Sequence, residues 1–149
     1  MTEVLFLASG NNINDALFKS CELVGKLFPS NHEVNCTKKI DINCESLKAA
    51  EELDVLLWKF PKFLIIAHGL INKIEDNESI SIGYPGTKFI EEPNKILINF
   101  LPGVPKRLSN YDTCYQIVIE DSGKYREQAA RSWLEYKKSG MKPRFIKEI

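Results

Sequence analysis

The chain has 149 residues, of which 44% are hydrophobic and 27% are charged, and its 20 Lys and Arg balance its 20 Asp and Glu. This length suits one domain with its own apolar core, which excludes a disordered chain and a disulfide-dense miniprotein. The neutral balance excludes a protein that coats nucleic acid through a general basic excess. The longest apolar run, 63–67, is too short to cross a membrane, and the amino terminus is not a cationic signal region. We therefore expect a cytoplasmic protein without a membrane partner.

The first thirty residues predict a strand, a turn and a helix. The apolar run 4–8 has strand length and stops at a cluster of turn-forming residues. Asn12 or Asn14 is expected to cap the helix that follows, and Pro29 lies where that helix should have ended.

A second strand and helix are predicted next. Alternating β-prone residues at 33–40 predict the strand. Asp41 or Asn43 is expected to cap a helix that begins near Cys44 and stops before Pro61.

The second half adds further strands and one long helix. We predict a short strand closed by a turn at 80–86, strands at 95–101 and 115–120 with a short helix between them, and a last helix at 124–139 that ends at Gly140. Alternation of this kind predicts an α/β protein: a single domain over the whole chain, with a mostly parallel central sheet and helices on both faces. Such an arrangement is Rossmann-like.

Support for an enzyme is weak. The turn at 8–12 lies where a doubly wound fold places phosphates, but it contains one glycine and matches neither the dinucleotide fingerprint nor a P-loop. His68, predicted to lie in a turn, could act as a base or ligand, yet no Ser or Cys nucleophile elbow accompanies it. The four cysteines form no Cys-x-x-Cys pair, so we expect reduced thiols and no metal or other cofactor. A nucleotide-binding or small-molecule enzyme that uses this turn stays an alternative.

Two local features favour protein partners. The segment 57–63 interleaves Trp58 and two Phe with lysines, as interface anchors often are. From residue 104 onward ten Lys and Arg face six acids, a local net charge of +4. Within that region Arg126, Ala130, Trp133 and Lys137 share one helix face, a plausible pocket for an acidic peptide with an aromatic tip. Direct binding of single-stranded DNA is a competing interpretation of this face. The simplest interpretation is a solvated amphipathic helix with Trp133 packed in the core.

Three stretches together resemble a known family. They are Leu-Trp-x-x-Pro-x-x-x-apolar-x-x-His at 57–68, the strand at 96–101, and the closing helix with Ala129, Trp133, Tyr136 and Gly140. This combination resembles the chi subunit of the bacterial DNA polymerase III holoenzyme, which belongs to the clamp-loader assembly. The resemblance implies a non-catalytic adaptor whose Rossmann-like fold binds no nucleotide and which meets nucleic acid only indirectly.

The resemblance also implies two protein partners. The psi subunit of the clamp loader would contact the surface around Trp58, Pro61, Ile65 and His68. Ile65 stands where an aromatic residue is common in the family.

The second implied partner is the acidic, Phe-terminated tail of single-stranded-DNA-binding protein, held at Trp133 and Lys137. Two family cations are replaced here by Ala130 and Leu134, so we expect weaker tail binding, with Arg126 or Arg131 as substitute cations. For the terminal Phe we expect an apolar cleft beside Trp133, lined by residues such as Ile117 or Ile119.

Overall fold

A seven-stranded parallel sheet organises the chain. The computed structural model describes residues 2–27, 38–60, 68–71 and 79–149. In chain order the elements are β1 Glu3–Ala8, α1 Ile13–Leu27, β2 Ile40–Asn43, α2 Leu47–Lys59, β3 His68–Leu70, β4 Ile80–Gly83, β5 Lys95–Asn99, β6 Tyr111–Val118, α3 Lys124–Lys138 and β7 Arg144–Ile146. The strands pair in the order β3-β4-β2-β5-β6-β1-β7, and every pairing is parallel. The predicted α/β class with a parallel sheet is confirmed.

Helices cover both faces of this sheet, as predicted. In β1, Leu7 packs in the layer formed with α1 and α2, while Val4 and Phe6 pack in the layer that holds Tyr136 of α3. Side chains that alternate along a strand point to opposite faces, so a strand covered on both sides is apolar at nearly every position. That is why the strands appear in the sequence as short continuous apolar runs.

Side-chain caps set the starts of α1 and α2. The side chain of Asn12 accepts a hydrogen bond from the backbone N–H of Asp15 at 2.9 Å, which confirms Asn12 as the cap of α1. For α2 the cap is Ser46, whose hydroxyl accepts from the backbone N–H of Ala49 at 3.1 Å. The prediction that Asp41 or Asn43 caps this helix is wrong, because both residues lie within β2.

A buried ion pair explains why Asp41 belongs to the sheet. Its carboxylate lies 2.5 Å from the Lys95 ammonium and accepts a hydrogen bond from the Tyr111 hydroxyl at 2.7 Å. The Lys95 ammonium also donates to the carbonyl of Ile90 at 2.8 Å. Burial raises the pKa of the Asp41 carboxyl, and the hydrogen bonds and charge of its two partners oppose that rise. The cluster ties together the amino-terminal ends of β2, β5 and β6.

The remaining differences from prediction lie at element ends and sheet edges. The predicted strand at 33–40 falls largely outside the described residues, and β2 begins only at Ile40. Strands β3 and β7 were not predicted; each has three residues and lies at an edge of the sheet. His68 is therefore in a strand and not in a turn. The predicted short helix is a 3-10 turn at Leu108–Asn110, and Gly140 follows α3 with a φ of +85°.

Candidate protein-binding surfaces

The first candidate surface is one exposed flank of α3. Ser132 and Tyr136 are buried on the side of this helix that packs on the sheet, whereas Arg126 and Lys137 are exposed. Trp133 lies half-buried at the boundary between the two sides. The spacing of seven and four residues brings Arg126, Trp133 and Lys137 along one flank, about 16 Å from the first to the last.

Trp133 is held in place from below by an aromatic cluster. Its ring meets the Phe6 ring edge to face, with centroids 5.0 Å apart at 75°, and Phe6 makes a similar contact with Tyr136 at 5.5 Å. On the solvent side the Lys137 ammonium lies 5.6 Å from the centre of the indole. The result is an ordered aromatic surface beside a cation, which suits a ligand with an aromatic group next to a carboxylate.

The amino-terminal end of the same helix is already occupied. The Asp121 carboxylate accepts hydrogen bonds from the backbone N–H groups of Gly123, Tyr125 and Arg126, at 3.0 to 3.3 Å. Partial desolvation of this carboxyl raises its pKa, but those N–H groups and the charge of Arg126 outweigh it, so the pKa lies below its usual value. An incoming carboxylate therefore cannot use this helix end, and Arg126 already has an acidic neighbour. Lys137 is the cation on this flank that stands closest to the indole.

Three other predicted residues lie elsewhere. Ile117 and Ile119 are buried in the layer that faces α1 and α2, not in the layer of Trp133. They also line a depression of about 10 Å³ with Ser132, which is about the room that one water molecule needs. Arg131 is exposed, but its helical position points away from the flank of Trp133. The structure thus brings Arg126, Trp133 and Lys137 together and does not bring these three residues to them.

The second candidate surface lies where α2 ends beside the edge strand β3. The Trp58 ring is 62% exposed and stacks at a tilt on the buried ring of His68, with centroids 4.3 Å apart. The His68 Nε2 lies 3.0 Å from the Asp54 carbonyl oxygen and 3.4 Å from the Asp54 carboxylate, which fixes the imidazole under the indole. Pro61 and Ile65, the other residues predicted here, lie outside the described residues.

The turn considered for nucleotide binding is closed by the protein itself. The two turns that follow β1 and β6 are joined by backbone hydrogen bonds, from Ser9 N–H to the Val118 carbonyl at 2.9 Å and from Glu120 N–H to the Gly10 carbonyl at 2.7 Å. The Asp15 carboxylate accepts from the backbone N–H of Asn11 at 3.3 Å. A phosphate here would meet the Asp15 carboxylate where a phosphate site offers free N–H groups. These contacts favour a capped turn over a nucleotide site.

The cysteines in the described ranges show no sign of reactivity. Cys21, Cys44 and Cys114 are buried free thiols, and burial raises the pKa of each to about 12. Thiols of this kind stay protonated at neutral pH and pack as small apolar groups. Across 2–27, 38–60, 68–71 and 79–149, no three His, Cys, Asp or Glu side chains are grouped as ligands for a metal ion.

Comparison with known proteins decides the family. Residues 1–144 match the family model described as DNA polymerase III chi subunit, HolC. The chain belongs to the chi-subunit family. No curated protein gave a significant match. Membership makes the chain a replication accessory subunit of the DNA polymerase III type, and the chi subunit is a non-catalytic component of that holoenzyme. In the described part of the chain no helix is long and apolar enough to cross a membrane.

Several residues that shape these chi-family surfaces were not singled out from the sequence. Phe6 supports Trp133 from β1, and Asp54 holds His68 from one turn before Trp58. Neither contact has a local sequence signal, since both join residues from different elements. Asp121 is different, because an Asp whose side chain accepts the backbone N–H two residues on, here that of the N-cap residue Gly123, forms a recognisable local turn.

Proposed function

We propose that this chi-family protein is a non-catalytic adaptor that links the clamp loader to single-stranded-DNA-binding protein. The observation that carries the proposal is the pairing of a supported, half-exposed indole with a cation on α3, in a chain that matches the family over residues 1–144. One partner is the psi subunit, at the Trp58 and His68 surface. The other is the acidic tail of single-stranded-DNA-binding protein, at Trp133 and Lys137.

At α3 the terminal Phe of the tail packs against the exposed edge of Trp133, and its carboxylates meet Lys137 first and Arg126 second. The contact is small and its ion pairs are exposed to solvent, so we expect micromolar-class affinity that falls as the salt concentration rises. The neighbouring acidic group of Asp121 makes Arg126 the weaker of the two cations. Roles for Arg131, Ile117 and Ile119 in the same binding event stay predictions.

At the other surface, Trp58 has the exposure of an interface anchor, and His68 and Asp54 hold it in one orientation. An aromatic ring that is ordered before binding loses little conformational entropy when a partner covers it. Pro61 and Ile65 are proposed to complete this psi-binding surface.

The tail site is tested by titration with a labelled acidic peptide that ends in Phe. We expect Lys137→Glu to weaken binding about tenfold or more, because attraction at the indole becomes repulsion. Lys124→Glu is the matched control: it makes the same charge change on the same helix, and its ammonium also lies over an aromatic ring, that of Tyr125, at 5.4 Å. Equal loss in both variants would mean that general charge, not this site, governs binding.

The same titration separates the proposal from direct DNA binding. A bare single-stranded oligonucleotide replaces the peptide in a second series at several salt concentrations. We expect much weaker binding than that of the peptide, since few cations on α3 are available to neutralise phosphates. Tight, salt-dependent binding of the oligonucleotide with no response to the peptide would replace the adaptor function.

The psi surface is tested by co-expression of the chain with psi and measurement of the yield of complex. We expect Trp58→Ala to lower that yield strongly, because truncation of a central aromatic anchor costs about 2 kcal/mol or more. The matched control is Leu134→Ala, which truncates a largely exposed apolar side chain on a different helix, α3. An undiminished yield from Trp58→Ala would refute this assignment.

A further inference from the structure

An apolar groove lies between α1 and α2 in the described part of the chain. We call it the α1/α2 groove; it has a volume of about 510 Å³ and is lined by Asn14, Leu17, Phe18, Glu51, Glu52, Val55 and Leu56. Leu17 is buried and Leu56 half-buried, whereas Phe18 and Val55 are each about half exposed. A groove of this size has room for several side chains of a ligand.

Exposed apolar side chains concentrate around this groove. Among the described residues seven large hydrophobic side chains are exposed, and four of them lie on α1 or α2: Phe18, Leu47, Val55 and Trp58. On α2 the positions 47, 51, 55 and 58 share one face, so three apolar residues form a stripe interrupted only by Glu51. A contiguous exposed apolar stripe of that kind marks an interaction site.

The charges at the groove have one sign. The two charged residues that line it are Glu51 and Glu52, and neither makes an ion pair with another described residue. The ring of Phe18 is fixed by an edge-to-face contact with Phe60 at 5.6 Å, so the apolar wall is ordered. The surface therefore combines an ordered apolar floor and wall with unpaired carboxylates at the rim.

We propose that the α1/α2 groove docks an amphipathic helix of a partner protein whose apolar face is flanked by Lys or Arg. The apolar face fills the space over Leu17 and Leu56, and the flanking cations pair with Glu51 and Glu52. The 13 residues of α2 span about 20 Å, so the docked helix needs about 14 residues with apolar positions at i, i+3, i+4 and i+7. Trp58 shares this face of α2 but does not line the groove, so the proposal goes beyond the adaptor function and its test does not involve Trp58.

A second copy of this chain fits the groove poorly, because packing α2 against α2 would bring the Glu51 and Glu52 carboxylates of both copies together. The basic helix of this chain is α3. Among the described residues of α3, Leu134 is the one large hydrophobic side chain that is exposed. One apolar side chain cannot fill a groove that takes several. A partner helix with a full apolar face is the better match.

The probes are two synthetic helical peptides of about 14 residues with identical leucine faces, one flanked by Lys and the other by Glu. Fluorescence anisotropy measures their binding to the full chain. We expect the Lys peptide to bind about tenfold more tightly than the Glu peptide, and the double variant Glu51→Lys with Glu52→Lys to reverse that order. Glu51→Gln with Glu52→Gln is the milder pair, for which we expect the preference to disappear.

Val55→Asp tests the apolar wall, with Leu134→Asp as its matched control, since both residues are more than half exposed. We expect about tenfold weaker binding of the Lys peptide by Val55→Asp and unchanged binding by Leu134→Asp, with thermal unfolding confirming that both variants fold. Equal binding of the two peptides, or equal loss in both variants, would overturn the proposal. So would sedimentation that shows a dimer in the wild type and a monomer in Val55→Asp, because a second copy would then cover the groove.

Discussion

Replacement of Lys95 by Met would leave a carboxylate buried without its cation. Asp41 is 1% exposed and Lys95 is 4% exposed, and their charged groups are 2.5 Å apart. Methionine keeps most of the length of the side chain and removes the charge. Breaking one side of a buried ion pair costs about 3–5 kcal/mol. That is a large part of the total stability of about 5–15 kcal/mol that a domain of this kind has.

Urea unfolding followed by circular dichroism measures this loss, and thermal unfolding gives a second reading. For a chain of this size each kcal/mol lowers the Tm by about 2–4 °C, so we expect a fall of about 6–20 °C. The matched control is Lys39→Met, which removes the same chemical group from an exposed pair with Glu92 at 3.2 Å. Its expected cost is about 1 kcal/mol or less.

The pH dependence of the Lys95→Met variant has a definite sign. Burial already raises the pKa of Asp41, and loss of Lys95 removes an interaction that opposes the rise. The folded state then binds the proton more readily than the unfolded state, whose Asp pKa is about 3.9. The stability of the variant relative to the wild type is therefore recovered below the unfolded-state pKa of Asp41. It is lost as the pH rises through the pKa that Asp41 has in the folded state.

We expect a smaller difference between wild type and Lys95→Met at acidic pH than at pH 7, with no such trend for Lys39→Met. The double variant Asp41→Asn with Lys95→Met removes both charges and is expected to be more stable at pH 7 than Lys95→Met alone. If Lys95→Met lowers the free energy of unfolding no more than Lys39→Met does at pH 7, the carboxylate of Asp41 does not depend on the Lys95 ammonium. That result would refute the reasoning.

Three further predictions concern local structure. Ser46→Ala removes the cap of α2 and is expected to cost about 1 kcal/mol in urea unfolding; no measurable loss would show that the cap is dispensable. Gly10→Ala is expected to destabilise the chain by more than about 1 kcal/mol, because φ is +86° and the new Cβ would lie 2.4 Å from the Cβ of Asp15; a stabilised variant would contradict the turn geometry. In the folded chain we expect Cys44 and Cys114 to resist a thiol reagent at neutral pH and to react after unfolding, as read by peptide mass spectrometry; fast labelling of the folded chain would contradict their burial.

The parts of the fold that the sequence predicts are those with a local signal. The run at 4–8, the cap at Asn12 and the long helix that ends before Gly140 all depend on neighbouring residues, and the structure contains each of them. Strands β3 and β7 have only three residues at the sheet edges, where hydrophobic periodicity is too short to detect.

Asp41 shows where local reasoning fails. A polar residue after a β-prone stretch commonly caps a helix, which is why that role was predicted. Its partners Lys95 and Tyr111 come from β5 and β6, and no nearby residue indicates that a counter-ion will arrive. The correct interpretation needs the order of strands in the sheet.

The same distinction applies to the tail site. Helical spacing alone places Arg126, Trp133 and Lys137 on one flank, and the structure agrees. The expected cleft with Ile117 or Ile119 has no comparable signal in the sequence and stays a prediction. Within β6, Cys114 and Val118 pack in the layer of α3, whereas Ile117 packs in the opposite layer; Ile119 follows the end of β6 and packs in the same layer as Ile117.

The most direct test of the adaptor function is an amide-resolved NMR titration of the chain with an acidic peptide that ends in Phe, and with the same peptide lacking the Phe. We predict saturable shifts on α3 around Trp133 and Lys137, together with a shift of the indole N–H, and much weaker effects from the shortened peptide. Shifts that avoid Trp133, or that are identical for the two peptides, would contradict the claim that this indole and its cation capture the tail.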